Sequence, residues 1–206
     1  MNKIKERFER WKKRPVLQKA IDIIFWVLLL LLIIPGPRKA IVTGVNKVML
    51  HIRQPSVAGE KNQVELDRSD YSWKYRDSEG LTQSFADHQG SVVFLNFWAT
   101  WCPPCIAEMP EIQEIYEQYG DRVTFLLLTN QSPSEVEPFM KRHGYDLPVS
   151  YTQGGVPEVF RSRSIPTTYI ISRDGRIVRK ITGAADWNSR SSRSMFDQLL
   201  DQDVLR

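Results

Sequence analysis

The chain is 206 residues long with a formal net charge of +4, enough for one domain with a full core plus appendages. Its excess base gathers in the first twenty residues beside an apolar run. That points to a membrane and away from the folded basic stripe of a nucleic-acid binder. With two cysteines in all, a disulfide scaffold is excluded.

Residues 1–20 carry Lys3, Lys5, Arg7, Arg10, Lys12, Lys13, Arg14 and Lys19 against Glu6 and Glu9, and from Ile23 to Ile34 the chain is uninterruptedly apolar. Two readings compete. A cleaved signal peptide fits a run of roughly 7–15 residues, but Pro35-Gly-Pro-Arg-Lys39 offers no small-x-small cleavage site. An uncleaved anchor fits the long basic lead. It needs flanking residues, with Lys19 snorkelling, to approach the ~20 residues of a span. We take residues 1–19 as a basic cytoplasmic segment and 20–37 as a transmembrane helix anchoring the chain in the lipid bilayer. Eight bases precede the run, and four (Arg38, Lys39, Lys47 and Arg53) follow it before the first acid, Glu60. The N-terminus is therefore expected in the cytoplasm and the main domain outside it.

Over residues 38–53, Ile41, Val42, Val45, Val48, Met49 and Ile52 share one helical face. Such a helix either rests in a membrane interface or packs on protein. Pro55 to Asp70 is polar and aperiodic and reads as a linker. The main domain is expected over residues 71–206. Tyr71, Trp73 and Tyr75 alternate ahead of the turn-prone Asp77-Ser-Glu-Gly80, predicting a β-hairpin, and a helical turn is expected at Ser84–His88.

Val92 to Trp98 is an apolar run, rich in β-branched and aromatic residues and suited to a buried strand. Ile106, Met109, Ile112, Ile115, Tyr116 and Tyr119 then recur at helical steps. Further on come a strand at Val123–Leu128, a serine-capped helix at 132–143 ended by Gly144, and a short strand at Leu147–Tyr151. A brief helical segment at 156–160 leads to a hairpin, Thr167–Ile171 and Arg176–Ile181, turning at Asp174-Gly175. A last helix covers Ser189–Leu200. This order predicts an α/β fold, a central mixed β-sheet flanked by helices.

The cysteines, Cys102 and Cys105, fall where the first buried strand gives way to its helix. Free N–H groups and the dipole at a helix start favour an anion, so a Cys102 thiolate is stabilised there. A structural zinc site needs further Cys or His ligands, and His51, His88 and His143 are scattered, so no metal is expected. Haem attachment needs His after the second cysteine, where Ile106 stands. Redox use of the pair remains, with no cofactor besides the Cys102–Cys105 disulfide itself. Cys102, beside Trp101, is expected to be the exposed nucleophile, and Cys105, one turn deeper, the resolving thiol. Pro103 and Pro104 stiffen the loop and withhold two N–H donors from the thiolate, so both bear on the redox potential.

Trp101-Cys-Pro-Pro-Cys105, after Phe94-Leu-Asn-Phe-Trp98 and before Glu108-Met-Pro110, resembles the membrane-anchored TlpA/ResA-like branch of the thioredoxin superfamily over roughly residues 72–202. Ser164-Ile-Pro-Thr-Thr168 agrees with it. The resemblance implies a thioredoxin-like fold and a cis Pro166 lying against the disulfide. It also implies that the Ile165 backbone pairs with substrate and that Glu108 handles protons. The plainer reading of Glu108 is a solvent-facing first-turn acid that complements the helix dipole. Thioredoxins proper carry a buried Asp where this chain has Asn96, so any buried acid here must be Glu108.

The resemblance further implies a single-pass protein of the bacterial inner membrane with a periplasmic thiol–disulfide oxidoreductase domain. It would reduce disulfide-containing client proteins, with cytochrome c maturation as a candidate process, and draw electrons from a membrane dithiol donor. Net disulfide oxidation or isomerisation is the enzymatic alternative. A redox-silent docking module is the alternative of another class. Nucleic acid is not an expected partner.

Overall fold

The computed structural model of the protein describes residues 15–33 and 63–201. Most of the basic lead, the end of the expected anchor and the helix expected over 38–53 lie outside the described residues. The chain divides into two units, residues 1–45 and 46–206.

The first unit shows one helix, α1 (Val16–Ile33), 18 residues long. Ile21, Ile23, Ile24, Phe25, Trp26 and Val27 are all exposed on it. Among the described residues no helix is long and apolar enough to cross a membrane. Lys19 and Asp22 fall in the first half of α1. α1 covers residues 20–33 of the span expected over 20–37, and residues 34–37 lie outside the described residues.

The second unit is an eight-stranded mixed sheet in the order β1-β8-β7-β4-β5-β6-β2-β3. Its strands are β1 (Val64–Glu65), β2 (Lys74–Arg76), β3 (Thr82–Ser84), β4 (Val92–Phe97), β5 (Val123–Thr129), β6 (Val149–Thr152), β7 (Thr167–Ile171) and β8 (Arg176–Thr182). The helices are α2 (Arg68–Tyr71), α3 (Pro103–Tyr119), α4 (Pro133–His143) and α5 (Arg190–Asp201). Strands β4, β5 and β6 run parallel, and the other pairings are antiparallel. The expected hairpins are present as β2–β3 and β7–β8, and short 3-10 turns occupy Phe85–His88 and Glu158–Phe160.

Where a linker was expected up to Asp70, the chain is already folded. Val64 and Glu65 pair with Ile177 and Arg176, and the Leu66 N–H donates to the Gly175 carbonyl at 2.9 Å. Asp67 then caps α2, accepting from the Ser69 and Asp70 amides. Gly175 sits at φ +79, and a Cβ there would come within 2.6 Å of the Tyr71 hydroxyl. The hairpin turn therefore needs glycine both for its backbone and for the close approach of this N-terminal cover.

Alternation along the strands sorts the core onto two faces. Val92 and Phe94 of β4, and Val123, Phe125 and Leu127 of β5, join Met109, Ile112 and Ile115 of α3, Val136 and Met140 of α4, and Phe196 and Leu199 of α5 in one cluster. The parallel crossovers β4–α3–β5 and β5–α4–β6 step the same way, so one handedness places α3 and α4 on this face. Val93, Leu95, Leu126 and Leu128 point to the other face, into a cluster with Trp73, Tyr75, Phe85, Phe160 and Tyr169. No long helix covers that side among the described residues. Its cover is the β2–β3 hairpin, α2 and the 3-10 turns.

Candidate active site

The cysteines lie past the C-terminal end of β4, the position from which a parallel strand feeds its helix. Cys102 is the N-cap of α3, with Pro103 and Pro104 in the first two helical positions. Proline has no N–H, so Cys105 supplies the first amide of the helix, and it donates to Cys102 Sγ at 3.3 Å. The two sulfurs form a disulfide with the Cα atoms 5.3 Å apart.

Strand β7 runs antiparallel to β4, pairing Thr167 with Phe97, and so brings its N-terminal end to the same edge. The Ile165–Pro166 peptide is cis, and the Ile165 carbonyl oxygen lies 3.7 Å from Cys102 Sγ. Pro166 and Ile165 thus stand where the sequence motif placed them. Trp101 is 67% exposed, which leaves an open aromatic surface beside the disulfide. Cys102 differs from expectation. It is only 3% exposed, barely more than Cys105, because the disulfide folds its sulfur inward and the Ile165 loop closes over it. A client must approach past Trp101 and the Ile165–Pro166 loop rather than meet a protruding sulfur.

Of the two readings of Glu108, the solvent-facing one does not fit the structure. The residue lies one turn beyond Cys105 on α3, and at 1% exposure it is not a surface acid. Its Oε1 accepts from Asn96 Nδ2 at 3.0 Å, and its Oε2 accepts from Trp187 Nε1 at 3.1 Å and the Ala185 amide at 3.3 Å. Asn96 Nδ2 also donates to Thr168 Oγ1 at 2.8 Å, tying β4 to β7. Burial pushes the Glu108 carboxyl up to about 8, with Glu111 adding to the rise and the three hydrogen bonds opposing it. A carboxyl raised to about 8 and standing one helical turn from Cys105 is equipped to move protons.

Sequence reasoning found the cysteines, prolines, Trp101, Glu108, Ile165 and Pro166, and the fold brings them to one edge of the sheet. It missed Asn96, Ala185 and Trp187 as hydrogen-bond partners of Glu108, and Thr168 as the second acceptor of the Asn96 amide. A buried acid at position 108 requires donors, and a tryptophan in the loop before the last helix was a signal that could have been pursued.

A protein-family model described as AhpC/TSA matches residues 67–180. The chain belongs to the AhpC/TSA family. Thiol-disulfide oxidoreductase ResA of Geobacillus thermodenitrificans is 34% identical over 127 residues, covering 60% of this chain and 73% of that protein. Among solved structures, the exposed lipoprotein thioredoxin of Streptococcus pneumoniae is 28% identical with a TM-score of 0.51, covering 63% of this chain and 98% of that one. A secreted disulfide oxidoreductase of Mycobacterium tuberculosis shares the fold, with a TM-score of 0.55 at 18% identity over 64% of this chain and 99% of that one. The fold is thioredoxin-like, and the chain is a thiol–disulfide oxidoreductase.

Proposed function

We propose that this protein reduces disulfides in extracytoplasmic client proteins while held at a bacterial inner membrane by its N-terminal segment. The observation that carries this reading is the pairing of a Cys102–Cys105 disulfide under the Ile165–Pro166 loop with a buried carboxyl one turn from Cys105. In the forward reaction the Cys102 thiolate attacks a client disulfide. The Cys102–client bond forms, and one client sulfur leaves as a thiolate. Glu108 then takes the Cys105 thiol proton, and the Cys105 thiolate attacks Cys102 Sγ. This forms the Cys102–Cys105 bond and releases the second client sulfur. The client gains two electrons and the protein dithiol loses them.

The name of the ResA relatives supports this class of chemistry, and c-type cytochrome maturation is a candidate process for it. A membrane dithiol carrier would return the protein to its reduced form. For the tether, support comes from the run of exposed apolar side chains on α1 and the basic lead before it, a combination without use on a freely soluble chain.

The reduction potential of the full-length protein tests the direction. A value near that of thioredoxin, about −270 mV, is expected, and one near that of DsbA, about −120 mV, would make it an oxidase. The tether is checked separately, by whether alkaline carbonate washes the full-length protein from membranes. Retention is expected, and complete release would remove the anchor from the proposal.

A further inference from the structure

Glu108 sits in a seat built of donors. The indole N–H of Trp187 and the Ala185 amide both point at Oε2, and neither group can accept a hydrogen bond in return. Asn96 reaches Oε1 through its Nδ2, and the same nitrogen is committed to Thr168 Oγ1 on β7. The acceptor end of the Asn96 amide, Oδ1, is buried without a hydrogen-bond partner. A proton arriving on Oε2 displaces a donor, and one on Oε1 gains the buried Oδ1 of Asn96 as its acceptor only if that amide turns and breaks its tie to Thr168. The seat fits the carboxylate, whereas the apolar packing around it favours the neutral acid.

The charged and titratable groups bearing on Glu108 are on its own helix: Glu111, which disfavours ionisation, and Cys105 when reduced. Asn96 on β4, Thr168 on β7 and the Ala185–Trp187 segment present neutral groups to it. Those donors are thus the means by which this fold counters the desolvation of Glu108.

We propose that Trp187 and Asn96 are positioning residues for the exchange reaction: as fixed neutral donors they hold Glu108 ready to take the Cys105 proton and set the pH at which it does so. This rests on the reading of Glu108 as the proton acceptor in the resolving step. Trp187 is also packed edge-to-face on Phe94, ring centroids 4.8 Å apart. Its indole is thereby fixed on the strand that leads to the cysteines. The donor is delivered by the segment between β8 and α5, 79 positions from its acceptor.

The test is the pH profile, from pH 5 to 10, of single-turnover reduction of oxidised glutathione by the reduced full-length protein. Trp187→Phe keeps an aromatic ring and removes the donor. A hydrogen bond to a charged group is lost, so the Glu108 midpoint should move upward by about one pH unit, with the rate near neutral pH falling by up to about tenfold. The high-pH plateau should be retained. Asn96→Leu should move the midpoint the same way, and carries the same expectation if Trp187→Phe does not fold.

A uniform loss of rate with the midpoint unmoved in a folded variant is what a packing role produces, and it overturns the proposal. Glu108→Gln separates the two levels. If it abolishes the transition while the donor variants leave it in place, the donor seat alone fails. If it leaves the transition in place, the transition does not belong to Glu108, and the proton-acceptor reading falls together with this one.

Discussion

The two faces of the sheet are built from the same alternating strands and do opposite work. One face is sealed by α3, α4 and α5 and holds at its centre a polar group of Asn96, Glu108 and Thr168 between the cysteines and the core. The other is closed by a hairpin, short turns and rings, with Trp73 against Tyr75, Phe85, Phe97 and Phe160. A buried carboxyl is costly unless donors meet it. Regular helices and a following loop can fix such donors in place, whereas a mosaic of rings supplies area and little else. The chemistry therefore lies on the helical face, and the aromatic face contributes stability.

That division can be broken by experiment, and the largest effect belongs to the cysteines. Cys105→Ala should abolish multiple turnover and accumulate a mixed disulfide between Cys102 and client, visible as a thiol-sensitive adduct by mass spectrometry. Absence of the adduct would remove Cys102 from the nucleophile's role. On the opposite face, Trp73→Ala should cost about 3–5 kcal/mol in denaturant unfolding and leave the pH midpoint of exchange where it was. A shifted midpoint would mean that the aromatic face is coupled to the proton site, and the comparison would fail.

Legibility in the sequence follows the same line between local and distant. Strand β4, helix α3 and both cysteines could be read because period, capping position and a two-residue spacing are all short-range signals. Pro166 could be read because its motif is contiguous. Glu108 was visible as a residue, but the donors that meet it in the interior include Ala185 and Trp187, which lie 77 and 79 positions away. Strand β1 was missed for a related reason. Two exposed residues, Val64 and Glu65, carry no pattern of their own and become a strand only through Ile177 and Arg176 of β8. Covering of Cys102 was missed because the Ile165 loop that covers it is 63 positions away.

Next in size is Glu108→Gln in the oxidised protein, where the cysteines do not titrate. Folded Glu108 holds its proton up to about 8, against 4.5 for an ordinary glutamate, so the native state binds more protons than the unfolded chain between those values. Wild-type stability should therefore fall as pH rises through that window and level off above it. The amide variant should lack this component, so its stability relative to wild type should grow between pH 4.5 and about 8, by on the order of a few kcal/mol. Urea unfolding at pH 5 and pH 8.5 reads the difference. An equal offset at both pH values would show that the acid is ionised throughout and that its seat, not burial, dominates.

The smallest effect sharpens the boundary of the redox face. Gln131 Oε1 accepts from the Thr100 amide at 2.7 Å, and Gln131 Nε2 donates to Thr100 Oγ1 at 3.0 Å, clamping the loop that leads into Trp101 and Cys102. These groups are only partly buried, so water replaces much of what Gln131→Ala removes, and the loss of stability should be about 1 kcal/mol. Because the clamp holds backbone and touches no titrating group on α3, exchange should slow modestly with its pH midpoint unchanged. A moved midpoint would extend the proton site outward to the entry loop. The seat around Glu108 would then be only the inner half of a longer polar path between the cysteines and solvent.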